Sequence, residues 1–299
     1  MRKAELFIVG APKCGTTALA DFLDQHPKIS VLPKEIHFFG SDLEFSKKRV
    51  DSEKYEDLIN TFPEDNLVCD ASVHYLFSKN AAKEIKQYNP DARIIIMLRQ
   101  PVDVMYSMHA QRLRTADEDI HDFAKALDAQ NDRAEGTLAL PPSINAKHAW
   151  QYEKIADFEP QIRRYVDQFG WSSVKIYLQE DLSDKPMEVY KEILEFLCVD
   201  SDFSPEFKKV NVRRGMRFPI VRKLYKRTDR FKREKLKTIL PGFIREPLRK
   251  LFWFVVFKKD ASGPIDPQLK KELTQKFDDK IISLGQFIGR ELSHWRQLD

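Results

Sequence analysis

The sequence predicts an α/β fold: a P-loop-like parallel β-sheet flanked by helices on both faces, followed by a helical, basic C-terminal region. Three observations carry this. Short apolar runs alternate with amphipathic helical stretches from Leu6 to Leu197, the pattern of a parallel sheet with crossover helices. The run Ile94 to Leu98 is apolar without interruption, as a strand buried on both faces requires. And the run Leu6 to Val9 enters a loop bounded by Gly10 and Gly15 that opens directly into a helical pattern. A chain of 299 residues is long enough to bury a full core.

Each element has its local reason. Thr16 to Gln25 reads as a helix with Leu19, Phe22 and Leu23 on one face, stopped by His26-Pro27. Ile29 to Leu32 is a short strand that runs into Pro33-Lys-Glu-Ile-His-Phe-Phe39. Ser41 to Phe62 is charged and irregular, with a helix near Glu53 to Asn60. Leu67 to Ala71 is a third strand, and Asn80 to Tyr88 a helix that ends at Asn89-Pro90. Arg93 to Leu98 is the clearest strand; Pro101 then suits the first turn of the helix that follows. Glu159 to Phe169 is an amphipathic helix, Val174 to Leu178 a strand, and Met187 to Leu197 another helix. Beyond Val199 the strand signal fades. With no repeat and no low-complexity linker, residues 1–299 read as one domain, in which 112–150 is a lid or insertion and 219–260 a basic helical segment.

Composition narrows the class. A net charge of +4 does not imply a general nucleic-acid binder. Cys14, Cys69 and Cys198 are an odd, scattered set without metal-ligand spacing, which suits a reducing compartment. The N-terminus carries no signal-peptide apolar region, and the longest apolar run, Leu251 to Phe257, is far below the ~20 residues a spanning helix needs. The expectation is a soluble, cytoplasmic protein.

The loop Gly10-Ala-Pro-Lys-Cys-Gly15 carries the chemistry. A strand, a glycine loop and a helix N-terminus gather backbone N–H groups and a partial positive charge at one point, which is a phosphate cradle. In the nucleoside-triphosphate loop the lysine follows the second glycine. Here Gly10 and Gly15 keep the spacing, Thr16 stands in the lysine's place, and Lys13 lies inside the loop.

These residues resemble the 5′-phosphosulfate loop of sulfotransferases that use 3′-phosphoadenosine 5′-phosphosulfate (PAPS). Lys34-Glu-Ile-His-Phe-Phe39 resembles the K-E-x-H-F-F segment of the heparan-sulfate and related bacterial branch, and Leu98-Arg-Gln-Pro-Val-Asp-Val-Met-Tyr-Ser107 its 3′-phosphate element. Weaker similarities run through Tyr177 to Leu182, Asn211 to Gly215 and Leu292-Ser-His-Trp295. The resemblance implies that Lys13, Cys14, Gly15, Thr16 and Thr17 hold the 5′-phosphate, with Lys13 also facing the bridging oxygen. It implies Arg99 and Ser107 for the 3′-phosphate, under a loop of Arg213, Arg214 and Gly215. Glu35 is then the general base and His37 its assistant, with His74 as a second candidate. No metal is implied, and the product is 3′,5′-adenosine bisphosphate (PAP).

The chain departs from that branch on the acceptor side. Gly40-Ser-Asp42 stands where the glycan enzymes often carry Asp soon after the two phenylalanines, and Asp70-Ala-Ser-Val-His-Tyr75 replaces their lysine by Ala71 and their proline by Val73. A heparan-like polysaccharide is therefore not expected; the acceptor hydroxyl belongs to a glycan, a lipid-linked group or a small metabolite. The alternative is a P-loop kinase or NTPase with a displaced lysine, which needs an acidic residue after a later strand to hold Mg²⁺. Arg99, and not an aspartate, follows Leu98. Finally, Arg222 to Arg233 holds seven basic residues ahead of the aromatic run to Phe257. Such a stretch (222–257) suits contact with a membrane surface or an acidic carrier, or a solvated helix face.

Overall fold

Five apolar runs pair into one parallel sheet: β1 (Leu6–Gly10), β2 (Ile29–Val31), β3 (Leu67–Asp70), β4 (Arg93–Leu98) and β5 (Val174–Leu178), in the order β2-β3-β1-β4-β5. β1 and the stretch Ile94–Leu98 are buried throughout, while Lys175 on the edge strand β5 is exposed. Register sets Leu6 beside both Cys69 and Arg93, and Ile96 beside Ile176. The computed structural model describes residues 2–46, 49–115, 117–141, 144–207, 214–216, 257–259 and 263–297.

Helices fill the crossovers: α1 (Thr16–Leu23), α2 (Ser52–Asn60), α3 (Ala81–Tyr88), α4 (Pro101–Thr115), α5 (Phe123–Glu135), α6 (Tyr152–Ala156), α7 (Glu159–Phe169), α8 (Gln179–Asp184) and α9 (Pro186–Leu197), with α10 (Pro267–Lys276) and α11 (Asp278–Ile288) near the C-terminus. Leu19, Phe22 and Leu23 of α1 are buried, as their spacing predicts. The chain leaves β1 toward β2, returns through β3, and only then crosses to β4 and β5. Right-handed crossovers in opposite directions put helices on both faces. The direction reverses between β1 and β4, so their C-terminal ends frame the crevice where open α/β sheets take ligands. Ala11 N–H donates to Met97 O at 2.7 Å and ties the two strand ends together.

The described chain falls into two compact units: Met1–Met108 with Ala146–Val210 and Pro267–Asp299, which contains the sheet, and His109–Asn145 with Asn211–Asp266. In the second unit, α5 occupies the stretch read from sequence as mixed. Its core face is made of Phe123, Ala126, Leu127 and Ala129, small residues that give weak periodicity, and Arg133 is buried against Glu118 through 2.8 and 2.7 Å hydrogen bonds. Two short strands, β6 (Arg214–Met216) and β7 (Phe257–Lys259), form an antiparallel pair where no strand was expected. The helical expectation for 219–260 therefore fails at Phe257–Lys259; residues 217–256, with nearly all of the basic stretch, lie outside the described residues.

Candidate active site

The loop after β1 is shaped by close approach. A Cβ at Gly10 would stand 2.6 Å from Leu76 Cβ and 2.9 Å from Val73 O, so only glycine fits. Lys13 (φ 68°) and Gly15 (φ 89°) both turn through the left-handed region, and Gly15 is the N-cap of α1. No side chain caps that helix and its first turn holds no acidic residue, so its leading N–H groups and dipole are left for an anion. Cys14 is fully buried, and burial pushes its thiol far up, so the side chain is an inert packing group whatever its backbone contributes to the loop. Thr16 is buried and Thr17 partly so.

Arg99 leaves the end of β4 beside this loop; its charge is felt at the Cys14 thiol together with that of Lys13. Arg99 Nη2 donates to Asp103 Oδ2 at 2.9 Å, so the guanidinium is oriented by its own helix. Ser107 lies one helical turn beyond Asp103 and is half-buried. Gln100 caps α4, its Oε1 accepting from Asp103 N–H at 2.8 Å. Arg214 and Gly215 lie in β6, not in a loop, and Arg213 is outside the described residues.

The segment after β2 holds Glu35 and His37, with Nδ1 of His37 3.6 Å from Oε2 of Glu35. Sequence spacing suggested an extended segment. Both residues instead have left-handed backbones (φ 58° and 55°), with Ile36 buried between them. The two side chains still converge. Glu35 keeps 39% of its side chain open to solvent, yet protein atoms crowd its carboxylate. Burial, then the Asp70 charge, push its pKa up to about 7 against the opposing Val73 N–H and Lys34. Lys34 binds Asp21 Oδ1 (3.1 Å) and Thr17 O (3.2 Å), joining this segment to α1.

Sequence reasoning passed over what holds this segment. Asp70, fully buried at the end of β3, accepts from Tyr55 Oη (3.0 Å), Tyr75 Oη (3.0 Å) and Ser72 Oγ (2.7 Å). Burial still drives its pKa up. Tyr75 Oη in turn accepts from Phe38 N–H (3.0 Å) and Phe39 N–H (3.3 Å), so a buried carboxylate fixes the backbone that carries the Glu35–His37 pair. Beyond His37 the rings continue. His37 stacks on Phe45 (centroids 3.8 Å apart), and His74 Nδ1 meets His148 Nε2 at 3.0 Å, which places His74 with His148 while His37 takes the position beside Glu35. Asp42 bonds Ser78 Oγ and Lys79 N–H (2.9 Å), a structural engagement.

A family model described as the sulfotransferase domain matches residues 3–229. The chain is 24% identical over 219 residues to heparan sulfate glucosamine 3-O-sulfotransferase 3A1 of Mus musculus, covering 73% of this chain and 51% of that protein. To heparan sulfate glucosamine 3-O-sulfotransferase 6 of Homo sapiens it is 30% identical over 112 residues, 38% of this chain and 31% of that protein. It thus spans about a third to a half of these curated relatives. A crystal structure of a sulfotransferase from Alicyclobacillus acidocaldarius superposes with a TM-score of 0.72 at 27% identity, covering 99% of this chain and 100% of the other.

Proposed function

Because the chain belongs to the sulfotransferase family, we propose that it moves the sulfuryl group of PAPS to an acceptor hydroxyl and releases 3′,5′-adenosine bisphosphate. The observation that carries this reading is the junction of β1 and β4: a loop built for one anion, tied by Ala11 N–H to the strand that delivers Arg99 for a second. PAPS carries two separate phosphates, and the bare N-terminus of α1 with its glycine-lined approach suits the 5′-phosphosulfate. The donor supplies the activated sulfuryl group.

The residues of this chain then divide the work. Glu35 accepts the hydroxyl proton as the acceptor oxygen bonds to sulfur, and the sulfur–oxygen bond to the 5′-phosphate breaks. A pKa of about 7 places the carboxylate near the pH where a base combines availability with proton affinity. His37 Nδ1, 3.6 Å from the carboxylate and so beyond hydrogen-bond length, stands beside the base as its assistant in handling the acceptor. Lys13 places its ammonium against the oxygen on which charge grows, a contact worth roughly 10²–10³ in rate. A heparan-like polyanion is not the expected acceptor: Ala71 and Val73 stand where that branch carries lysine and proline, and the rings of Phe45, His74 and His148 continue from His37.

Thermal unfolding with 3′,5′-adenosine bisphosphate tests the reading. The bisphosphate raises the melting temperature without metal, by mass action on the folded state. Stabilisation by ATP with Mg²⁺ alone would overturn it in favour of a P-loop kinase. Turnover of labelled PAPS over a panel of hydroxylated acceptors then identifies the acceptor.

A further inference from the structure

The C-terminal Leu292-Ser-His-Trp295 segment lies in the same compact unit as the phosphate loop, and no step above uses it. Gly285 of α11 holds the approach: a Cβ there would stand 2.8 Å from Arg290 O. Arg290 then grips Asp181 of α8 at 2.9 and 3.1 Å, while Asp181 Oδ2 accepts from Leu178 N–H at 2.9 Å and so caps that helix. Trp295 is only 3% exposed. Its indole Nε1–H donates to Glu180 Oε1 at 2.6 Å, and His294 Nε2 meets the same oxygen at 2.8 Å. The Trp295 carbonyl accepts from Gln100 Nε2 at 3.3 Å, the side chain that caps α4 next to Arg99.

α8 is the wall of the phosphate loop. A Cβ at Gly15 would meet Gln179 Cγ at 3.4 Å, so the helix begins against the N-cap of α1. The next residue, Glu180, puts a negative charge within reach of the loop and opposes Arg99 and Lys13 at Cys14. A carboxylate beside an anion cradle works against anion binding. Two donors on one oxygen of that carboxylate draw its charge away from the cradle.

We propose that Trp295 and His294 form a positioning latch, which holds the Glu180 carboxylate off the phosphate loop and steadies Gln100 beside Arg99, so that nucleotide affinity depends on the C-terminal segment. The latch rests on the PAPS reading above and makes a prediction that packing alone does not. Freed from its donors, Glu180 repels the incoming phosphates, and removal of its charge restores binding.

The test is the dissociation constant of 3′,5′-adenosine bisphosphate for the full chain by calorimetry, with KM for PAPS. Trp295→Phe keeps the ring and loses the donor; affinity falls about tenfold, with kcat nearly unchanged. His294→Ala, which leaves the indole packing intact, gives a smaller loss in the same direction. Adding Glu180→Gln to either variant returns affinity to about the wild-type value while the melting temperature stays down. Unchanged binding in both single variants, or a double variant as weak as the single, overturns the latch. A wild-type chain that does not bind the bisphosphate at all overturns the PAPS reading instead.

Discussion

The two halves of the site are built differently. On the proposed nucleotide side, regular elements do the placing: β1 and α1 shape the loop, β4 leads directly into Arg99, and α4 carries Ser107. On the acceptor side an irregular segment, residues 32 to 46, carries Glu35 and His37, and side chains hold it. Tyr75 Oη takes the Phe38 and Phe39 N–H groups, the Glu84 carboxylate takes Gly40 N–H (2.6 Å) and Ser41 N–H, and Arg49 donates to Phe39 O (3.0 Å) and Gly40 O. A phosphate is the same in every donor, so a backbone cradle suffices for it. An acceptor differs from enzyme to enzyme, and a segment held by replaceable side chains can be rebuilt without disturbing the sheet.

If that division holds, Glu35→Gln affects only one half. Turnover drops by about 10²–10⁴, while the bisphosphate binds as in wild type; calorimetry beside steady-state rates checks both. Because burial raises the Glu35 pKa to about 7, the base is protonated and idle below that value, and kcat/KM of the wild type rises with pH through about 7. A profile flat from pH 5 to 8, or turnover kept by the amide, removes Glu35 as the base.

Arg99→Ala is the converse. Charge-assisted hydrogen bonds contribute ~1.5–3 kcal/mol, so bisphosphate affinity falls roughly 10–100-fold, whereas adenosine 5′-phosphosulfate, which lacks the 3′-phosphate, loses little. Equal losses would move Arg99 away from the 3′-phosphate and blur the two anion sites into one.

Tyr75→Phe probes what sequence reading could not see. Every strand of the sheet was legible from its apolar run, and the loop from its glycines, because period, spacing and turn chemistry are local. Asp70 was not legible as an organiser. Its meaning comes from Tyr55 of α2 meeting it in space together with Ser72 and Tyr75 of the loop that follows, and no periodicity marks that convergence. Glu35 and His37 were legible as a pair but for the wrong reason, since left-handed turns rather than an extended strand bring them together. Trp295, Gln100 and Glu180 are separated by most of the chain and no spacing joins them. Removing the Tyr75 hydroxyl leaves two backbone N–H groups and a buried carboxylate short of a partner, at about 1–3 kcal/mol of stability. Turnover falls by more than nucleotide affinity; the reverse order would mean that Tyr75 serves the cradle.

The smallest effect bears on the base itself. Glu35 binds its proton more tightly folded (about 7) than its ordinary value of 4.5. Between those values the folded state holds the extra proton, so stability declines as pH rises through the window and stays low above about 7. Glu35→Gln has no such proton and flattens that decline, and its melting temperature at pH 8 exceeds the wild type's. Asp70, also raised by burial, adds its own slope, and its charge is coupled to Glu35, so the difference between the two melting curves reports the Glu35 proton together with that coupling. Parallel curves from pH 4.5 to 8 would mean that the carboxylate is as well solvated folded as unfolded, and that the acceptor side does not ready its base by crowding it. A pair that separates as the pH rises, with the wild type falling below the variant, would mean that the same burial that readies the base also makes this side the costlier half of the site to fold.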